Sequence, residues 1–316
     1  MTIRASKLER IDAALAGGIP DVVPFSAWYH FGLHYLPGHV HAEAELSFFE
    51  HYDLDFLKVM DDYMYPLPSG MHEVVKPSDW HRLKAVDPWD YSEYGEQLKA
   101  LKLIGDKLKG RAYFIDTVFS PWTVARNLAW KHHEAHRKEH PGDFLAGLAT
   151  ITENLSRFVK AAIDVGASGI FYSIAGATED YMSEAEYERF GKPFDLKVLD
   201  AAKGAHMTVL HVHGSRTYFN LVKDYPVKAI NWSDRDATNP TLAKARTLTP
   251  KCLMGGIDEV SAKEMTTAEL RAQIADAVAQ TKGRGFICTP GCSVKTNIHE
   301  HSIRAMAEAC HATRLA

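Results

Sequence analysis

Short runs of apolar and β-branched residues alternate with amphipathic stretches along most of the chain. Helical periodicity predicts helices at 143–165, 183–203 and 266–282, and the second of these opens with a capping box of Ser183 and Glu186. Eight runs predict strands, at residues 21–26, 55–60, 112–117, 168–173, 207–213, 227–232, 251–255 and 285–289. Strands that alternate with helices are typical of parallel sheets. The pattern predicts an α/β fold, a single (β/α)8 TIM barrel over residues 1–316 with an extra N-terminal helix.

Composition narrows the class of protein. The chain has 316 residues, 46% of them hydrophobic, and a formal charge of −4, which is enough for one sizeable core. No basic cluster is dense enough to predict a nucleic-acid partner. No apolar run is long enough for a membrane span, and the charged first ten residues lack a signal core. Four cysteines do not make a disulfide framework, so we expect a cytoplasmic protein with reduced thiols.

Polar side chains follow most of the predicted strands. His30 and His34 come after the first strand, Asp62 after the second, and Cys292 after the last, while Asn231 lies at the end of the sixth. The active site of a TIM barrel is formed at the carboxyl ends of its strands. We therefore expect these side chains to face one another at that end.

A pair of histidines and a cysteine form the clearest chemical pattern. Residues i and i+2 of a strand point to the same face, so His211 and His213 should project together. Cys292 follows a turn made by Pro290 and Gly291. Two imidazoles and a thiolate are three of the four ligands that tetrahedral zinc prefers, with one position left for chemistry. The competing interpretation is two ordinary strand histidines and an unreactive buried thiol.

Several motifs in the same order resemble the uroporphyrinogen decarboxylase superfamily. This superfamily contains haem-pathway decarboxylases and zinc-dependent methyltransferases that act on corrinoid proteins. Residues 10–24 are similar to its N-terminal helix and first strand, and residues 62–66 to the Asp-x-x-x-Pro after the second. Residues 120–123, 253–258 and 289–292 resemble three later turns. The resemblance implies a TIM barrel, and frequently a homodimer.

The first loop departs from the haem-pathway decarboxylases. Those enzymes carry two arginines that hold substrate carboxylates, and the matching positions here are His30 and His34. A neutral imidazole does not replace the permanent bidentate charge of a guanidinium. The family's tyrosine after the third strand is matched by Asn127 and its late histidine by Cys292, so that Asp62 alone is kept. We therefore do not expect a tetrapyrrole decarboxylase.

The methyltransferase branch is more similar to this chain. Its zinc site combines a His-x-Cys-Gly with a later Gly-Cys, matched here by His211, His213 and Gly214 and by Gly291 and Cys292. The resemblance implies zinc held by His211, His213 and Cys292. His213 stands where a thiolate would be, which makes the ion a stronger Lewis acid. The chain lacks an Asp-x-His-x-x-Gly cobalamin motif, so a corrinoid is expected on a separate protein.

The catalytic roles remain hypotheses at this point. Asp62 would accept a proton or orient a small-molecule substrate, and His30 with His34 would donate hydrogen bonds to it. Competing interpretations make Asp62 a helix cap and His30 a packing histidine. Two other functions stay open, namely a metal-free decarboxylase of a small or aromatic acid and a superfamily member with different or no chemistry.

Overall fold

The computed structural model describes residues 4–315, so the first three residues of the charged amino terminus lie outside it. Its strands are hydrogen-bonded in chain order, each parallel to the next, in one seven-stranded sheet. They are β1 (Phe56–Val59), β2 (Tyr113–Phe119), β3 (Ile170–Ile174), β4 (Val209–Val212), β5 (Ala229–Trp232), β6 (Cys252–Ile257) and β7 (Phe286–Pro290). In this register His211 lies between Ser173 and Asn231.

Helices connect the strands and cover the sheet. They are α1 (Lys7–Leu15), α2 (Gly38–His51), α3 (Ser92–Leu108), α4 (Pro121–Ala129), α5 (His133–Glu139), α6 (Pro141–Asp164), α7 (Glu184–Phe190), α8 (Lys192–Ala201), α9 (Phe219–Val222), α10 (Leu242–Leu248), α11 (Thr267–Thr281) and α12 (Glu300–Ala312). Short 3-10 helices span Pro77–Arg82, Pro88–Asp90 and Trp130–His132. Helices α6 and α11 correspond to the predictions at 143–165 and 266–282. Within residues 4–315, none of the helices has the length and apolarity needed to cross a membrane.

Within residues 4–315, seven strands form instead of the eight predicted. The segment 21–26, predicted as the first strand, makes isolated bridges, one of them between Phe25 and Cys288. Pro24 has no N–H to donate, and the Asp55 carboxylate takes the N–H of Phe25 at 2.7 Å. The Phe25 carbonyl still accepts the N–H of Asp55 at 2.8 Å. This segment therefore joins β7 to the start of β1, and the two edges of the sheet meet there.

A buried ionic network holds this junction. Arg10 of α1 contacts Asp21 at 2.9 Å and also pairs with Asp55. His311 of α12 places Nε2 2.9 Å from Asp55 Oδ2. Burial raises the pKa of Asp55, but His311 and Arg10 outweigh burial and lower it below its usual value. The first and last helices are thus tied to one carboxylate.

The helix predicted over 183–203 is broken into α7 and α8. The predicted capping box of Ser183 and Glu186 forms at the start of α7. Pro193 cannot donate an N–H to the preceding turn, so one uninterrupted helix is unfavourable here. The chain bends at Gly191 and starts α8 with Pro193 in its first turn.

Apolar side chains form an inner and an outer cluster. The outer one fills the space between the strands and the surrounding helices. The inner one is built from alternate strand residues, together with Ile11 and Ala14 of α1, which close the amino end of the sheet. On β4 the inward series begins with Met207 and Val209, and its next positions are His211 and His213. The apolar interior therefore ends where the polar site begins.

Candidate metal centre

His211, His213 and Cys292 come together at the carboxyl end of the sheet. The backbone N–H of His213 donates to Ile174 O at 2.9 Å, so strand alternation continues past the end of β4. The ligand atoms of all three residues lie within 4.8 Å of one another. His213 Nδ1 is 3.5 Å from Cys292 Sγ. Tetrahedral zinc with ordinary Zn–N and Zn–S bonds would separate these two atoms by about 3.6 Å. The donor set and its spacing fit that ion.

Two glycines allow the ligand loops to approach each other. Gly214, with φ +105°, turns the chain away directly after β4. At Gly291 a Cβ would lie 2.6 Å from Ser233 Cα and 2.7 Å from Glu259 Oε2. A larger residue at this position would displace the adjacent Cys292 from the histidines.

Asn231 fixes the orientation and the tautomer of His211. Its Oδ1 lies 2.6 Å from His211 Nδ1. Its Nδ2 donates to Met254 O at 3.2 Å and to Pro290 O at 3.0 Å. Because carbonyls only accept hydrogen bonds, the amide nitrogen must face them and the amide oxygen must face the imidazole. His211 Nδ1 therefore carries the proton, and Nε2 keeps a lone pair for a metal.

The two histidines also activate the thiol. Burial raises the pKa of Cys292, but His211 and His213 outweigh burial and hold it well below its usual value. The hydrogen bond with Cys292 in turn raises the pKa of His213. The thiolate is the form that binds metals. Cys288, which lies in β7 four residues before Cys292, packs in the outer apolar cluster.

His30 and Asp62, predicted as catalytic, form a hydrogen-bonded pair. His30 Nδ1 lies 2.9 Å from Asp62 Oδ1, and Asp62 Oδ2 accepts the N–H of Gly32 at 3.1 Å. Asp62 thus holds the first loop, so the helix-cap interpretation is wrong. Burial raises the pKa of Asp62, but the bond to His30 lowers it below its usual value. With 51% of its side chain exposed, His30 is not a packing histidine.

Two adjoining cavities contain the predicted residues. The small cavity, of about 150 Å³, is lined by the three candidate ligands and by His30. The large cavity, of about 780 Å³, is lined by Asp62 and His34. His30 and Asn127 line both. A further cavity of about 950 Å³ lies at the amino end of the sheet beside α1 and α8, far from these residues.

Two cations of the small cavity were not predicted from the sequence. Lys58 of β1 is buried, with 3% exposure, and Arg126 of α4 lines the same cavity. Strand alternation offered a signal, because it places Lys58 on the inward face with Phe56 and Met60. For Arg126 the sequence offers no signal, since a basic residue on a helix is ordinary.

Comparison with known proteins finds two kinds of relatives. The family described as "Uroporphyrinogen decarboxylase (URO-D)" matches residues 58–313. The uroporphyrinogen decarboxylase of Prochlorococcus marinus is 26% identical over 249 residues, which cover 72% of this chain and 66% of that protein. The methylcobamide:CoM methyltransferase MtbA of Methanosarcina acetivorans is 23% identical over 247 residues, which cover 76% of this chain and 70% of that protein.

A solved structure shares the fold. A methyltransferase from Methanosarcina mazei superposes with a TM-score of 0.80, at 18% identity, over 96% of this chain and 98% of its own. Relatives of both chemistries match at comparable identity. The residues of the site, and not overall similarity, must therefore distinguish between the two activities.

Proposed function

Since this chain belongs to the uroporphyrinogen decarboxylase family, we propose that it is a zinc-dependent methyltransferase or demethylase. It would activate a small methylated substrate for methyl transfer to or from a separate corrinoid protein. The observation that supports this most is the spacing of the ligand atoms of His211, His213 and Cys292. The bond from Asn231 that keeps His211 Nε2 free for a metal adds to it.

In this proposal His211, His213 and Cys292, which line the small cavity, would hold the ion. Bound zinc supplies Lewis acidity, which lowers the pKa of a substrate heteroatom or polarises its bond to carbon. The chain itself keeps the ligands in place. Asn231 orients the imidazole of His211 by a hydrogen bond, and the Phe171 ring stacks on the same imidazole with centroids 5.1 Å apart.

His30 would move a proton at the substrate heteroatom. Asp62 accepts the Nδ1 proton of His30, which leaves Nε2 to accept or return a proton. Because His30 lines both cavities, it can reach a substrate in either. His34, which lines the large cavity, would contact the part of the substrate that extends away from the ligands.

Elemental analysis of untagged protein purified without chelator measures its zinc content and so tests whether it binds zinc. We expect near-stoichiometric zinc in the wild-type protein and none in Cys292→Ala. Cys252→Ala is the matched control, because Cys252 is also buried but burial raises its pKa to about 12. Its zinc content should equal that of the wild type. A wild-type protein without zinc, after zinc is supplied and the excess removed, would contradict the proposal.

A metal-free decarboxylase of a small or aromatic carboxylic acid is the second candidate. The pair of His30 and Asp62 and the cations Lys58 and Arg126 favour it, since none of them needs a metal. Assays in chelator distinguish the two. Methyl transfer to a purified corrinoid protein that stops in chelator and returns with zinc supports the methyltransferase. Release of CO2 from an acid that continues in chelator supports the decarboxylase.

A further inference from the structure

Lys58 is a buried cation whose hydrogen-bond partner is a thioether. Its Nζ donates to Met60 Sδ at 2.6 Å, and a thioether is a weak acceptor. The rings of Phe171 and Trp28 lie 4.8 and 5.5 Å from Nζ at their centroids. Over residues 4–315, no carboxylate forms an ion pair with it. Burial of an unpaired ammonium group is unfavourable, so binding of an anion next to Lys58 would be favourable.

Arg126 brings a second cation to the same cavity. Its guanidinium donates to Asn127 Oδ1 at 3.0 Å and lies 4.9 Å from the Tyr181 ring. In the described part of the chain, Arg126 has no carboxylate partner either. The small cavity is therefore lined by two cations whose charge the protein does not neutralise by direct contact.

Glu45 and Cys292 are the negative groups that act most strongly on Lys58, and both have other partners. Burial lowers the pKa of Lys58 to about 8, although Glu45 and Cys292 act to raise it. Glu45 accepts the N–H of Met60 at 2.7 Å and faces His41 at 3.4 Å. The Cys292 thiolate pairs with His213 Nδ1, which lies 3.5 Å from its Sγ. Neither group is then free to neutralise Lys58.

The remaining lining of the small cavity suits an aromatic ring. Trp28 and Phe171 pack edge to face, with centroids 5.1 Å apart, and both line the cavity. A cavity of about 150 Å³ has the volume that holds one benzene ring in an apolar protein interior. Aromatic walls and a ring-sized volume favour a flat ligand of that size.

We propose that Lys58 and Arg126 bind the carboxylate of a substrate with about one aromatic ring. The ring would lie against Trp28 and Phe171, next to the candidate metal ligands. The role of that carboxylate in positioning a methylated heteroatom rests on the proposed function. The binding of the carboxylate does not, because it needs no metal.

Calorimetric titration of metal-free protein with benzoate, and separately with neutral benzamide, tests this inference. We expect the wild type to bind benzoate at least tenfold more tightly than benzamide. Lys58→Met keeps the length of the side chain and should abolish the preference. Lys251→Met is the matched control, because Lys251 is partly buried, has a pKa lowered by burial, and donates to Val227 O at the amino end of the sheet.

A second variant keeps the test decisive if Lys58→Met fails to fold by near-UV circular dichroism. Arg126→Gln changes a partly exposed residue and should reduce the preference for benzoate several-fold. Equal binding of benzoate and benzamide, no saturable binding of benzoate, or an unchanged preference in both variants would overturn the inference. A wild-type protein that lacks zinc yet prefers benzoate would remove the proposed function and leave this inference standing.

Discussion

Two buried polar clusters of this protein differ in how their charges are satisfied. Asp195 of α8 accepts hydrogen bonds from the hydroxyls of Tyr172, Tyr187 and Tyr225, so both of its oxygens have donors. In the small cavity, Lys58 has a thioether as its hydrogen-bond partner. The protein itself supplies the hydrogen-bond partners of Asp195, whereas Lys58 can still pair with a ligand.

The difference distinguishes buried polar groups that stabilise the fold from buried polar groups that bind a ligand. A buried polar group destabilises the fold unless it is paired, and most are paired. A cluster that satisfies itself, like that of Asp195, contributes to the fold. A cluster that leaves charges without partners does not stabilise the fold, and such charges in a cavity are typical of functional sites. The comparison predicts opposite responses when each cluster is changed.

Asp195→Ala should have the largest effect on stability. It leaves three buried tyrosine hydroxyls without their acceptor and creates a cavity. We expect the free energy of unfolding to fall by about 3 to 4 kcal/mol, because each unsatisfied buried group is unfavourable and the void adds to this. Urea denaturation followed by circular dichroism measures it.

Lys58→Met is the matched control for that variant. It removes a buried charge that forms no ion pair within residues 4–315, so we expect a change of less than about 1 kcal/mol, in either direction. Zinc content should be unaffected by Asp195→Ala in the folded protein. If both variants destabilise equally, the distinction between the two clusters is wrong.

The pH dependence of stability should report on Asp195. Burial raises its pKa to about 6, although the three tyrosine hydroxyls act to lower it. An unfolded aspartate has a pKa of about 4, so the folded state binds more protons between these values. The free energy of unfolding should therefore decrease as pH rises from about 4 to about 6, by up to about 3 kcal/mol, and this contribution should be constant outside that window.

Asp195→Asn provides the control for the pH profile. An amide does not titrate, so the difference in unfolding free energy between wild type and variant should vary with pH only in that window. Denaturant titrations at half-unit pH steps from 4 to 7 would show it. A difference that is the same at every pH would mean that Asp195 has an ordinary pKa.

Asn231→Leu should have the smallest of these effects, and the effect should be on zinc affinity. It removes the hydrogen bond that holds His211 in the metal-binding tautomer but keeps every proposed ligand. Loss of such a supporting bond typically weakens metal binding about 10- to 100-fold. Competition with a chromophoric zinc chelator measures the affinity.

Asn154→Leu is the matched control for Asn231→Leu. Asn154 is buried in α6 and accepts the N–H of Val86 at 2.9 Å, in a region without proposed ligands. Its substitution should reduce stability and leave zinc affinity unchanged. Equal zinc affinity in wild type and Asn231→Leu would show that the tautomer does not depend on this asparagine.

The alternation of side chains along strands made much of the candidate site predictable. It places His211 and His213 on one face, and the position of Cys292 after the last strand brings the thiol to them. The same rule applies to Lys58, but a lysine within an apolar run is not by itself a sign of a site. What marks it is burial with only a weak thioether acceptor, which depends on tertiary contacts.

The deviations in the fold have local causes that periodicity does not report. The first predicted strand fails because Pro24 lacks an N–H and because the Asp55 side chain takes the place of a neighbouring backbone. The helix predicted over 183–203 breaks because of Pro193. In both cases the hydrophobic pattern is present in the sequence, but the backbone hydrogen bonds of a strand or of one continuous helix do not form.

The bridge between Phe25 and Cys288 has a consequence for the order of events on the ribosome. Phe25 cannot form this bridge until Cys288 has been synthesised, and a contact between positions so distant in sequence forms slowly. Cys292 leaves the ribosome after Cys288, while both histidines have long since emerged. Until then a nascent chain offers the two imidazoles without the third proposed ligand. The meeting of the two sheet edges and the assembly of the three proposed ligands are therefore nearly one event. A metal held by all three would distinguish finished molecules from unfinished ones.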